Sequence, residues 1–169
     1  MKKPQFLIIL LVLMLFIAGC AETKPESQTT EIGNLILNQE RIKTIEVIKG
    51  VSDQSSVIIS DSTNISELIS KIKEIPVNRL SKSEDESFMP ERILDDSVLN
   101  IILCSDNISF ASIEGEFFVW PDGYIYTVDV NSMKGNQRTI AYLSQLKYPE
   151  IYEWLIDKMD ANDTVSAAS

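Results

Sequence analysis

Few residues in this chain offer a starting point for chemistry. Its 169 residues include two cysteines and no histidine. Without histidine there is no Ser-His-Asp or Cys-His nucleophile, no imidazole general base and no histidine zinc ligand. Thiols, carboxylates and aromatic rings remain. Cys104 closes the apolar run Val98-Leu99-Asn100-Ile101-Ile102-Leu103-Cys104, with no base beside it, so it reads as a small core hydrophobe. Asp95-Asp96, Asp122 and Asp129 could pair for acid/base or metal work, but their spacing does not bring two carboxylates together, and turn and surface roles are expected. The run Ser83-Glu84-Asp85-Glu86-Ser87 lacks the alternating ligands and central glycine of an EF-hand loop. It reads as a solvated acidic loop. No cofactor motif is present, and none is expected to bind.

The densest group of side chains is aromatic. Phe117, Phe118, Trp120, Tyr124 and Tyr126 flank Pro121-Asp122-Gly123, where proline suits position i+1 of a type I turn and glycine the left-handed position. Two readings compete. Phe117, Trp120, Tyr124 and Tyr126 could form a platform for a small ligand, a glycan or a protein partner. Alternatively they are cross-strand pairs that build a sheet.

The other cysteine, Cys20, follows two small residues in Phe16-Ile17-Ala18-Gly19-Cys20. Lys2 and Lys3 form a positive leader, and Phe6 to Ala18 is an unbroken apolar run of 13 residues. That length suits a signal h-region and falls short of the roughly 20 residues a spanning helix needs. The pattern resembles the lipobox of bacterial lipoproteins. The resemblance implies removal of residues 1–19, a diacylglyceryl group on the Cys20 sulfur, and a domain held at the outer face of the cytoplasmic membrane. Two acyl chains anchor stably, at about 0.8 kcal/mol per buried CH₂. Ala21 follows the cysteine, so the aspartate of enterobacterial inner-membrane retention is absent.

Removing residues 1–19 takes two lysines and no acid, leaving 13 basic against 25 acidic side chains, a formal charge of −12. So acidic a surface argues against nucleic acid and against direct adhesion to anionic headgroups. About 150 mature residues suffice for one domain with its own core. Residues 20–40, polar and containing Pro25, read as the lipidated cysteine and a flexible tether, although Ile32 and Leu35 to Leu37 could already touch the domain.

Within 41–160, strands are expected at Ile42–Ile48 and Ser56–Ser60, joined as a hairpin. Ile65, Leu68, Ile69, Ile72 and Ile75 predict a helix from Ile65 to Glu74, with Asn64 as N-cap, Glu67 completing a capping box and Pro76 barring continuation. Residues 77–96 read as a long charged connection. Strands follow at Val98–Cys104 (central, buried on both faces), at Ile108–Ile113, at 117–120 and 124–128 around the aromatic turn, and at Thr139–Leu143. Asn131–Gln137 reads as a loop. Pro149 opens a second helix with Ile151, Trp154, Leu155 and Met159 on one face. Residues 161–169 read as a disordered tail.

This order of parts resembles small uncharacterised lipoproteins of Bacillus-type bacteria, a resemblance carried by Ile42–Val47, the Val57-Ile58-Ile59 strand, the Asn64-initiated helix, the Asp122-Gly123 hairpin and a terminal helix containing Trp154. It implies no activity. The expected fold is α+β: a mostly antiparallel sheet of five or six strands with two amphipathic helices packed on one face. The expected function is a non-enzymatic binding or interaction domain whose partner is an envelope protein or small ligand. The alternatives are an envelope enzyme using carboxylates, with or without a divalent ion, and a sensor or accessory subunit of an envelope process.

Overall fold

The computed structural model describes residues 28–50, 55–135 and 139–166. Cys20 and residues 1–19 lie outside them. Strands β1 (Thr29–Glu31), β2 (Thr44–Lys49), β3 (Ser55–Ile59), β4 (Pro76–Arg79), β5 (Leu99–Cys104), β6 (Ile113–Val119), β7 (Ile125–Val128) and β8 (Ala141–Ser144) form one sheet. Its order is β1-β4-β8-β7-β6-β5-β2-β3, and every neighbouring pair is antiparallel. Helices α1 (Ser62–Ile72), α2 (Lys82–Arg92), α3 (Val130–Lys134) and α4 (Pro149–Ser166) complete the α+β fold. Among the described residues no helix is long and apolar enough to cross a membrane.

Side-chain alternation divides the sheet into two unlike faces. On the first, Ile45, Val47, Leu99, Ile101, Leu103, Phe117, Val119 and Ile125 join a continuous core with α1 and α4. Helix α1 contributes Ile65, Leu68 and Ile72, and α4 contributes Ile151, Leu155 and Met159. Both expected helices therefore share one face, as their apolar stripes require. Asp61, not Asn64, caps α1: its side chain accepts from the Asn64 N–H, so the helix starts earlier.

The second face holds a separate cluster. Val98, Trp120, Tyr126, Val128 and Ala141 are buried there, packed by Phe88 and Met89 of α2 and Met133 of α3. These two helices replace segments expected as loops. The stretch 77–96 is in fact β4 followed by α2, and 131–134 belongs to α3. Helix α2 forms because Ser81 and Glu84 make a reciprocal capping box; the acidic residues Glu84 and Asp85 then fall in the first turn, where the helix dipole favours them. Asp129 caps α3 through the Asn131 and Ser132 N–H groups.

Other boundaries move for local reasons. The sheet has eight strands, not five or six. Ile108–Ile113 is not a strand: Ser112 Oγ bonds back to the carbonyls of Asn107 and Ser109, folding 105–112 into a compact turn before β6 runs unbroken through Ile113–Val119. Strand β5 is central, but its Asn100 and Ile102 face is only half-buried. Part of the stretch expected as a tether belongs to the fold, since β1 pairs with β4 and Ile32 is fully buried. Helix α4 continues to Ser166, past the start of the expected tail. Gly123, at φ 86°, allows the aromatic turn to meet α4: a Cβ there would lie 2.5 Å from the Pro149 nitrogen.

Candidate functional site: an arginine caged by aromatic rings beside a groove

Phe117, Trp120, Tyr124 and Tyr126, read as either a platform or cross-strand pairs, do not share a surface. Phe117 points to the first face and is 1 % exposed within the aliphatic core. Residues one apart on a strand face opposite ways, so Phe117 and Phe118 could not both belong to one platform. Trp120 and Tyr126 are on the second face but buried beneath α2, and Tyr124 is half-buried. The cross-strand reading describes part of this group: Phe118 pairs directly with Tyr126, with ring centroids 6.0 Å apart. Phe88, which the sequence reading placed in a loop, completes it edge-on to Trp120 at 5.4 Å and stacked on Tyr126 at 6.3 Å.

Arg92, the last residue of α2, organises the outer end of this cluster. Its guanidinium carbon lies 5.0 Å from the Phe88 ring centroid, 5.2 Å from Tyr124 and 5.6 Å from Trp120. Each such contact contributes about 0.5–1 kcal/mol when exposed and about 2 when desolvated. Arg92 Nη2 donates to Asp122 Oδ2 at 3.1 Å, and Lys147 Nζ donates to the same oxygen at 3.3 Å while lying 4.7 Å from the Tyr124 ring. Arg92 Nη1 is buried with no hydrogen-bond partner, which the surrounding ring faces explain. The Trp120 indole N–H donates to the Arg92 carbonyl at 3.1 Å, satisfying one of the acceptors a helix end leaves open. Burial pushes the Asp122 carboxyl upward, but hydrogen bonds from Arg92, the Tyr124 N–H and Lys147 outweigh it and hold the group below its usual value. Further along α2, the Tyr126 hydroxyl donates to Asp85 Oδ1 at 2.8 Å; burial, then that carboxylate, push the phenol well above its ordinary value.

Beside the cage runs a groove of about 590 Å³. Leu80, Phe88 and Leu143 supply its apolar lining, and Ser83, Glu84, Ser87 and Arg92 its polar one. The volume and the mixture of apolar wall with a few donors are those of small-molecule or short-peptide sites. A smaller depression of about 290 Å³, lined by Asp95, Trp120, Pro121 and Asp122, lies against the same arginine. Arg92 thus faces both. Sequence reasoning missed Arg92 because it fell in the supposed loop; the Ser81–Glu84 capping pattern was the signal available.

The other candidates take structural places. Asp95 accepts from the Ser97 hydroxyl and N–H, which hold its carboxyl below the ordinary value. Asp129 is a helix cap. Glu84, Asp85 and Glu86 open α2, with Glu86 paired to Lys82 at 3.5 Å. Among the described residues no group of three or more His, Cys, Asp or Glu is placed to hold a metal ion. Cys104 is fully buried, and burial pushes its thiol up. Comparison with protein-family models, curated proteins and solved structures finds no match for this chain.

Proposed function

We propose that this protein is a lipid-anchored domain on the outer face of the cytoplasmic membrane that binds an envelope partner or small ligand through the groove beside α2. The anchor rests on the resemblance of Phe16–Cys20 to a lipobox, behind a positive leader and a short apolar run. The spacing of the parts agrees with it. Seven residues separate Cys20 from Gln28, the first described residue, so their full extension is about 28 Å. A domain so tethered works within roughly its own diameter of the bilayer.

The observation that carries the binding role is the groove itself: an apolar floor, two serine hydroxyls, the Glu84 side chain and a guanidinium held in place by three rings and a carboxylate. A pre-positioned cation orients a ligand at little entropic cost. The test has two stages. Wild type should label with an alkynyl fatty acid and Cys20→Ala should not; labelling of the variant would remove the anchor. Proximity crosslinking of the lipidated protein in its own membrane should then capture a dominant partner that Leu143→Arg, which fills the groove, abolishes. No dominant partner, together with no ligand that protects wild type but not Leu143→Arg against thermal unfolding, would sink the groove reading.

A further inference from the structure

Among the described residues, the second face of the sheet is only half covered. Helices α2 and α3 pack over β6, β7 and β8, and the apolar residues that β2, β3 and β5 turn to that side, Ile48, Ile58 and Ile102, belong to neither core cluster. Ile58 is 55 % exposed, and Ile48 and Ile102 are half-buried. Strand register sets carboxylates among them. Glu46 lies directly between Ile58 and Ile102, and Ile102 directly between Glu46 and Glu116. The next row but one runs Ser56, Ile48, Asn100, Phe118.

The charged groups in these rows, Glu46 and Glu116, are both acidic. Among the described residues neither Glu46 nor Glu116 has an ion-pair partner. The Asn100 amide nitrogen donates to Glu116 Oε1 at 3.3 Å, which fixes the amide orientation, because a flipped amide would set its oxygen against the carboxylate. That leaves Asn100 Oδ1 buried without a donor. Burial also raises the Glu116 carboxyl above its usual value despite the bond from Asn100. Two carboxylates without an ion-pair partner, beside the exposed Ile58 and the half-buried Ile48 and Ile102, suit a partner that brings positive charge and apolar area together.

We propose that the uncovered half of the second face, centred on Ile58, Glu46 and Ile102, is a docking surface for a cationic amphipathic segment of a partner protein. Its apolar side chains seat on Ile48, Ile58 and Ile102, and its lysines or arginines reach Glu46 and Glu116. Charge decides among the occupants. A second copy would set the same two glutamates against its own in a chain of net charge −10, and an anionic bilayer is repelled for the same reason. This surface is distinct from the α2 groove.

The test uses the full-length lipidated protein in zwitterionic nanodiscs and a photo-crosslinkable helical peptide of leucine and lysine, with a leucine and glutamate twin. Adducts mapped by mass spectrometry should concentrate on β2, β3 and β5 with the lysine peptide. They should fall at least tenfold in Ile58→Asp and in Glu46→Lys, and the glutamate twin should give none. Both substitutions sit on exposed or half-exposed positions, so the fold tolerates them. Glu153→Lys, exposed on α4, and Leu143→Arg, in the groove, should leave the adducts unchanged. Adducts scattered over the surface, equal labelling by the glutamate twin, or an equal loss in Glu153→Lys would overturn the proposal. A loss confined to Leu143→Arg would assign the peptide to the groove instead.

Discussion

The two faces of the sheet are held by different physics. The first face is a single aliphatic core, contributed by α1, α4 and at least four strands, with Ile45, Leu68, Leu99, Ile101, Leu103 and Leu155 fully buried. The second is a much smaller aromatic cluster, closed by the charged helix α2 through Phe88, Met89 and Arg92 and by Met133 of α3. Burial of aliphatic area accounts for the first at about 25 cal/mol per Å². On the second, caps, ring geometry and a shared carboxylate carry more of the load. A helix held by so few buried apolar contacts is expected to open at lower free energy than the core.

That contrast can be broken most forcefully at Phe117. Phe117→Ala should destabilise the whole domain by about 3–5 kcal/mol, read as a shift of the urea midpoint with all amides losing protection together. Phe88→Ala should cost less, about 2 kcal/mol, and hydrogen exchange should quicken in α2 while α1 and β5 stay protected. If α1 exchanges as fast as α2 in that variant, the two faces form one cooperative unit and the comparison fails. Ser81→Ala removes the α2 cap and should cost about 1 kcal/mol, again confined to α2. Replacing Arg92 with lysine keeps the charge but loses the planar stacking on Phe88, Tyr124 and Trp120; a loss of about 1 kcal/mol, with the Trp120 fluorescence shifted, is the expected result.

The smallest effect sharpens the uncovered half. Glu116 has a folded-state carboxyl raised by burial, so the folded chain holds its proton more tightly than the unfolded chain. Stability from this group is present at low pH and is lost as pH rises from the ordinary glutamate value, about 4.3, through the raised one. Glu116→Gln should therefore melt higher than wild type at pH 7 and no higher below about pH 4. An equal gain at both pH values would mean that packing, not ionisation, is responsible.

The aliphatic half of the molecule was legible because periodicity is a local property. Ile65, Leu68 and Ile72 repeat at helical spacing, and Pro149 with Ile151, Leu155 and Met159 does the same, so both helices and their shared face could be read directly. The hairpin at Pro121-Asp122-Gly123 was legible for the same reason: turn chemistry acts over four residues. Helix α2 was not. Its eleven residues are dominated by serine and acid and include Pro90, and only Phe88 and Met89 face the sheet, too few for a stripe. Its cap was readable, but a cap alone does not overrule composition.

The sequence by itself determined the acidic charge, the absence of imidazole chemistry, the lipobox resemblance and the sites of the two amphipathic helices, since each depends on residues close in the chain. Only tertiary structure decided which face Phe117 and Phe118 each take, that Arg92 meets Trp120 across 28 positions, and that Glu46, Ile102 and Glu116 align across three strands. Those outcomes rest on strand register and on which helix covers which half. Register and coverage are settled by contacts distant in sequence, where no local pattern reaches.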